Sequence, residues 1–258
     1  MSAIRPNFLI IGAAKAATTT LANLLIQHPQ AAIVQGKEPH FFSQDQAYAA
    51  GWNAYQSLYS HCRDELAIGD ASTSYSRIRY HPQTIARIRR HVPDALIIYM
   101  VRHPLRRIQS AYVERIATHG AAQHFGSFCN AVKQAPMMID SSRYWEVYSR
   151  YSEVFGASRV LVVWFEDFVA NLETEFAAVC RFLGIDDAAN IDFGAIRTNS
   201  RDDVRERLRQ RGHDQLSVDT AWDDATRDWV IATLRDDNLR LLRHFGKPDS
   251  YWGEPFGY

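Results

Sequence analysis

The sequence predicts an α/β fold in which a central, mainly parallel sheet is flanked by helices. Three apolar runs, at residues 8–11, 95–101 and 159–165, have the length and composition of buried strands. Each run precedes apolar residues at helical spacing, and this alternation is typical of strand-helix-strand units. Because the 258 residues contain no repeat and no interdomain linker, we expect a single domain over 1–258.

The composition argues against several classes of protein. Positive and negative side chains number 29 each, so no net charge attracts nucleic acid or an anionic membrane. No apolar run approaches the roughly 20 residues of a membrane-spanning helix, and the start of the chain does not resemble a signal peptide. The cysteines have no metal-ligand spacing and fit a reducing compartment: Cys62, Cys129 and Cys180. We therefore expect a cytoplasmic protein without a membrane span or a nucleic-acid partner.

The first candidate site is the turn between the strand at 8–11 and a helix that begins near Thr18. In this turn, backbone N–H groups, the positive end of the helix dipole and the charge of Lys15 converge on one point. The pattern predicts an anion site, and the alternative is an ordinary turn with an exposed Lys. The candidate ligands are Gly12, Ala13, Ala14, Lys15, Ala16, Ala17, Thr18, Thr19 and Thr20.

The spacing of this loop differs from that of nucleotide-hydrolysing proteins. Their P-loop, GxxxxGK[ST], places Lys directly before the hydroxyl residue that holds magnesium. Here Lys15 comes three residues after Gly12, and two residues separate it from Thr18. The displaced Lys argues against a small-molecule kinase that uses ATP and magnesium, which stays as an alternative.

The second candidate site follows the apolar run at 95–101. Arg102 comes directly after this run, and Pro104 suits the first turn of a helix, so we expect Arg102 at the carboxyl end of a central strand. Open α/β sheets bind ligands at that edge. The alternative is a salt bridge between Arg102 and Asp94.

A third candidate site is the sequence Lys-Glu-Pro-His-Phe-Phe at residues 37–42. Glu38 precedes a Pro, which favours an extended backbone, and Phe41 and Phe42 can anchor the segment in the core. A carboxylate held beside apolar rings is a candidate general base. The alternative is a solvated Lys-Glu pair on a loop.

Together these motifs resemble the sulfotransferases that use 3′-phosphoadenosine 5′-phosphosulfate (PAPS), in particular their bacterial-type and carbohydrate or heparan branch. The order Gly-x-x-Lys-x-x-Thr-Thr at 12–19 is similar to their 5′-phosphosulfate loop. The resemblance implies a P-loop-like three-layer fold and sulfuryl transfer from PAPS to an acceptor hydroxyl, without a metal. Lys15 would then stabilise the leaving group, and Glu38 would accept the proton of the acceptor.

The resemblance also implies binding residues. Arg102 and Ser110, eight residues later, would hold the 3′-phosphate of the cofactor. Arginines crowd the segment 185–225, where the charge pattern fits a solvated helix; the alternative is a mobile lid that brings Arg197 or Arg201 to the phosphates of the cofactor. The acceptor, which could be a sugar, a lipid or a secondary metabolite, would contact Lys37, His40, Ser72 and Tyr75.

Two residues depart from the pattern of the family. Ala17 stands where many members carry Gly, and a loop that needs a strongly positive φ there would be strained. Ala71 stands where members often carry Lys, so a cation that contacts the acceptor is missing at this position. These departures keep open a third interpretation, a nucleotide-binding protein without catalytic activity.

Overall fold

The computed structural model describes residues 4–36, 38–119, 126–194, 219–253 and 256. The chain divides into two compact units: Met1–Arg102 with Glu146–Ile196, and His103–Trp145 with Arg197–Tyr258. Lys37, Arg197 and Arg201, three of the candidate site residues, lie outside the described residues, as does the middle of the expected lid. Across the described ranges, no helix has both the length and the apolar character needed to cross a membrane.

The first unit is built on a sheet of five strands. They are β1 (Phe8–Gly12), β2 (Ala31–Ile33), β3 (Ala67–Asp70), β4 (Leu96–Val101) and β5 (Val160–Trp164). Their spatial order is β2-β3-β1-β4-β5, and every neighbouring pair is parallel. Every residue of β1 is buried, as in parallel sheets covered by helices. The predicted α/β fold is confirmed.

Helices follow most of the strands. In chain order they are α1 (Thr18–Gln27), α2 (Asp45–Ala49), α3 (Trp52–Ser57), α4 (Thr84–His91), α5 (Pro104–His119), α6 (Phe128–Gln134), α7 (Pro136–Asp140), α8 (Tyr144–Phe155), α9 (Phe165–Ala170), α10 (Leu172–Leu183) and α11 (Asp224–His244). Two short 3-10 helices cover Thr73–Ser76 and Ala157–Arg159. The predicted helix starts at Thr18 and Pro104 are confirmed.

The second unit packs its helices around buried polar contacts. Arg107 of α5 is buried, and its guanidinium donates to the hydroxyl of Ser142 at 2.6 Å and to the carbonyl of Met138. Asn238 of α11 donates to the carbonyl of Ser142 at 3.0 Å. These bonds satisfy polar groups that would otherwise be costly to bury.

A buried carboxylate stands at the end of β3. Asp70 is 0% exposed, and its two oxygens accept hydrogen bonds from the hydroxyls of Tyr75 at 2.6 Å, Tyr55 at 2.8 Å and Ser72 at 2.7 Å. Burial raises the pKa of Asp70 from its ordinary value of 3.8 to about 6, although the three hydrogen bonds oppose the rise. Keeping this carboxylate ionised therefore reduces the stability of the fold.

We expect Asp70 to give the stability of the protein a distinct pH dependence. Because its pKa is higher in the folded protein, its contribution is fully present below pH 3.8 and is lost as the pH rises to about 6. The loss in the free energy of unfolding amounts to about 3 kcal/mol. Urea unfolding of the wild type and of Asp70→Asn across this range measures it, since the amide does not titrate. Identical pH profiles for the two proteins would contradict the assignment.

The start of α1 has an unusual backbone. Ala17, the residue before the helix, lies in the left-handed region with φ 67° and ψ 22°. A side chain in this conformation costs about 1–2 kcal/mol. The strain foreseen for an Ala at this position is therefore present.

We expect Ala17→Gly to raise the free energy of unfolding by about 1 kcal/mol, because relief of the backbone strain exceeds the entropy that Gly adds to the unfolded chain. The matched control is Ala16→Gly: Ala16 is buried beside it and has no positive φ. This control should lower the free energy of unfolding by about 0.5–1 kcal/mol. Urea denaturation measures both, and equal losses in the two variants would refute the strain at Ala17.

Candidate active site

The anion loop, residues 12–17, begins where β1 ends. In the sheet, β1 lies between β3 and β4. The chain builds β2 and β3 on one side of β1 and then β4 and β5 on the other side, and α/β sheets bind ligands at such switch points. Gly12, the last residue of β1, has a φ of 137°. A Cβ on Gly12 would lie 2.4 Å from Ser76 Oγ and 3.2 Å from the carbonyl oxygen of Thr73. The end of β1 therefore packs directly against the 3-10 helix Thr73–Ser76, and a side chain at Gly12 would force them apart.

Some of the loop amides are already used inside the protein. The N–H of Ala13 donates to the carbonyl of Met100 at 2.7 Å, and that of Ala16 donates to the carbonyl of Ala13 at 3.2 Å. These two residues shape the loop, whereas the amides of Ala14, Ala17 and the first turn of α1 are its candidate anion donors. The residue before α1, Ala17, has no side chain that could cap the helix, and the first turn of α1 contains no acidic residue. The start of the helix thus favours a bound anion.

Arg102 joins the second candidate site to the loop. Its Nη1 donates to the carbonyl of Lys15 at 2.9 Å, and its guanidinium lies 4.2 Å from the centre of the Phe165 ring. The alternative partner, Asp94, forms an ion pair with Arg159 at 2.7 Å instead. Arg102 is therefore held beside the anion loop, as its place after β4 predicted. Ser110 is half-buried on α5, in the second unit.

Glu38 is held by the same 3-10 helix that packs on β1. Its Oε2 accepts a hydrogen bond from the hydroxyl of Thr73 at 3.2 Å, and His40 Nε2 lies 3.6 Å from the same oxygen. The side chains of Glu38 and His40 are 26% and 29% exposed, so a ligand can reach both. Because the carbonyl of Thr73 faces Gly12, the carboxylate lies near the edge where the anion loop begins.

The turn that carries Glu38 is fixed by the Asp70 network, which consists of Asp70 and the three hydroxyls of Tyr55, Ser72 and Tyr75 that donate to it. Ser72, which donates to Asp70, accepts a hydrogen bond from the backbone N–H of His40 at 3.1 Å. The hydroxyl of Ser74 lies 2.7 Å from His40 Nδ1 and 2.6 Å from the hydroxyl of Ser43, and both contacts are hydrogen bonds. Residues 38–43 are thus bound at several points to the segment that follows β3.

The structure corrects three expectations for this region. Glu38 has a φ of 63° rather than an extended backbone. Ser72 and Tyr75, expected to contact the acceptor, are fully buried and bond to Asp70. They support the site through hydrogen bonds instead of contacting a ligand, because the short segment after β3 is buried. The expected anchoring by Phe41 and Phe42 is confirmed, since both rings are buried.

The protonation of His40 depends on its burial and on the charges beside it. Burial lowers the pKa of His40; the Glu38 carboxylate opposes this change, and the Arg77 guanidinium adds to it. His40 is therefore neutral near pH 7, so one of its ring nitrogens can accept a proton. Arg77 was not identified from the sequence, because nothing in Ser-Arg-Ile-Arg distinguishes it from a surface arginine.

The site thus combines two chemical capacities. An uncapped helix start, Lys15 and Arg102 can hold and neutralise an anion of more than one charge. Glu38 and His40 can remove a proton from a neighbouring group. Such a combination suits the transfer of an anionic group to a nucleophile that loses a proton.

Comparison with known proteins supports a specific form of this chemistry. A model described as the sulfotransferase family matches residues 55–189, which is just over half of the chain. The matched region contains Arg102 and the Asp70 network, whereas the anion loop and Glu38 precede it.

Two curated human proteins are similar over 70% of this chain. Heparan sulfate glucosamine 3-O-sulfotransferase 6 of Homo sapiens is 29% identical over 185 residues. Heparan sulfate glucosamine 3-O-sulfotransferase 3B1 of Homo sapiens is 30% identical over 189 residues. The matches cover 52% and 46% of those two proteins. The chain therefore spans about half the length of the curated relatives it matches.

A solved structure resembles nearly the whole chain. The sulfotransferase from Alicyclobacillus acidocaldarius aligns with a TM-score of 0.75 and 26% identity, and the alignment covers 96% of this chain and 99% of that one. The P-loop-like fold that the motifs implied is confirmed by this similarity. Because the family model matches more than half of this chain, the chain belongs to the sulfotransferase family.

Proposed function

We propose that this protein transfers a sulfuryl group from PAPS to a hydroxyl of an acceptor. Its family supports sulfuryl transfer, and PAPS is the donor that this family implies. The observation that carries the proposal is the position of Glu38. Its carboxylate is bonded to Thr73, whose carbonyl faces Gly12 at the start of the anion loop. A base and an anion site therefore share one edge of the sheet.

The residues present fit the donor. The uncapped start of α1 and Lys15 would hold the 5′-phosphosulfate, and Arg102, beside the loop, would hold the 3′-phosphate. Ser110, together with Arg197 and Arg201, remains a proposed contact of the nucleotide. The helix start binds through backbone N–H groups, and these donors need no metal to recognise a phosphate.

Transfer itself requires positioning and stabilisation of charge. By analogy with phosphoryl transfer, the sulfuryl group passes through a loose, in-line transition state. Lys15 supplies positive charge where the bond between sulfur and the bridging oxygen breaks. Glu38 accepts the proton that the acceptor hydroxyl loses as its oxygen attacks sulfur. His40, fixed by Ser74, lies beside Glu38 and keeps the proton acceptor in place.

The acceptor is proposed only by class. The two human relatives are named for a heparan sulfate glucosamine acceptor. For this chain we propose a small-molecule, glycan or lipid hydroxyl. Of the predicted acceptor contacts within the described ranges, His40 is partly exposed and can reach the acceptor. Lys37 stays a predicted contact.

The donor is tested by calorimetric titration with adenosine 3′,5′-bisphosphate, run beside ATP with magnesium. We expect metal-independent binding of the bisphosphate. Binding of ATP with magnesium alone would overturn the proposal in favour of a kinase, and binding of neither ligand would favour a protein without a nucleotide site.

Replacement of Arg102 should separate the two phosphate sites. We expect Arg102→Ala to weaken binding of adenosine 3′,5′-bisphosphate about 10–100-fold, because a charge-assisted contact is lost. Adenosine 5′-phosphate, which lacks the 3′-phosphate, should lose much less affinity. Arg159→Ala is the control, since Arg159 pairs with Asp94 on the surface. Equal losses for both nucleotides would refute the 3′-phosphate assignment.

Glu38→Gln should keep the affinity for the bisphosphate and lower turnover about 10²–10⁴-fold, because the amide cannot accept the proton of the acceptor. Release of the bisphosphate from PAPS, with an acceptor found by screening, measures turnover. The control is Glu153→Gln, which changes an exposed carboxylate on α8 that pairs with Arg150. A Glu38→Gln enzyme with wild-type turnover would exclude Glu38 as the base.

A further inference from the structure

Arg77 comes directly after the 3-10 helix that organises the site. This helix holds Glu38 through Thr73 and His40 through Ser74. The backbone N–H of Arg77 donates to the carbonyl of Ser74 at 3.0 Å, which fixes the base of its side chain. Arg77 is therefore part of the same rigid segment as the contacts of the proposed base.

The guanidinium of Arg77 is partly buried, and its Nε lacks a hydrogen-bond partner among the described residues. This Nε is also sealed from solvent. Burial lowers the pKa of Arg77, because the surrounding protein solvates its charge less well than water does. An arginine in this position costs stability unless an anion pairs with it.

The charged groups around Arg77 offset its charge only in part. The Glu38 carboxylate, which accepts a hydrogen bond from Thr73, acts on Arg77 electrostatically and opposes the fall of its pKa without cancelling it. Arg77 in turn acts on His40 and His81, so the neighbouring titratable groups are mainly basic. The carboxylate of Asp45, which acts on His81, forms an ion pair with Arg87 at 2.5 Å.

We propose that Arg77 binds an anionic group of the acceptor, a carboxylate or a sulfate ester, while the acceptor hydroxyl faces Glu38. This inference rests on the proposed function, because it assigns the acceptor to the same site. The cation that Ala71 removes from the usual family position is then supplied six residues later by Arg77. Arg77 would select hydroxyl compounds that carry a negative charge over neutral ones.

The first test is the stability of the free protein. Arg77→Met replaces the guanidinium by an apolar side chain of similar length, so we expect Tm to rise by about 2–4 °C. The control is Arg79→Met: Arg79 is more exposed and makes two hydrogen bonds to Glu146, at 2.8 and 3.0 Å. Its loss should leave Tm unchanged or slightly lower. A fall of Tm in Arg77→Met would show that Arg77 braces the fold, and would overturn the proposal.

The second test measures anion binding with sodium acetate and sodium sulfate as probes. Saturating adenosine 3′,5′-bisphosphate is present, so that the anion loop and Arg102 are occupied, and sodium chloride at equal ionic strength is the reference. We expect acetate or sulfate to raise the Tm of the wild type and of Arg79→Met saturably, by about 2–4 °C. The two salts distinguish a carboxylate from a sulfate ester.

Arg77→Met should lose this saturable response and keep only the general effect of sulfate on protein stability. An Arg77→Met response equal to that of the wild type, or a wild type that responds to neither salt, would refute the assignment. The proposed function fails separately, if the bisphosphate itself does not bind. In that case the same titration without bisphosphate still decides whether Arg77 binds an anion.

Discussion

The hydrogen bonds of the buried Asp70 carboxylate hold the turn that carries Glu38, the proposed base, and His40 beside it. Three hydroxyls converge on Asp70, and one of them, that of Ser72, also holds the backbone of His40. The turn at 38–43 has two residues with positive φ, Glu38 and His40, so its own conformational preference does not maintain its shape. Contacts from the segment after β3 supply the missing constraint, and the carboxylate at the end of β3 anchors that segment.

In this arrangement, the residues that fix the geometry of the site differ from those proposed to take part in the reaction. Asp70, Tyr55 and Tyr75 are buried and contribute by fixing geometry, whereas Glu38 and His40 remain accessible. Preorganisation of this kind is effective because a group that already points at the reacting atoms needs no reorganisation during the reaction. It also limits stability, since a carboxylate, a strained alanine and an incompletely paired arginine are all kept in or near the core. Such compromises are expected where function and stability compete.

The sequence allowed correct prediction of features that depend on local order. The strand-loop-helix at 8–27 and the strand that ends at Arg102 follow from apolar runs, Gly12 and Pro104, which act over a few residues. Features that depend on distant contacts were not foreseen. β3 has only four residues including a Gly, and Ser74 meets His40 across 34 positions of the chain. Burial of Ser72 and Tyr75 likewise follows from tertiary packing, which periodicity does not encode.

The contact between Arg102 and the loop carbonyl of Lys15 has a consequence for the end of the catalytic cycle. One edge of the guanidinium is bonded to the loop and one face is covered by Phe165, so its orientation is set before any nucleotide arrives. If the donor is PAPS, the spent nucleotide carries the same 3′-phosphate. Arg102, in its proposed role, would then hold donor and product equally well. Uniform binding of this kind does not accelerate the chemical step. It would lengthen the residence time of the product, so that release of the spent nucleotide slows each turnover.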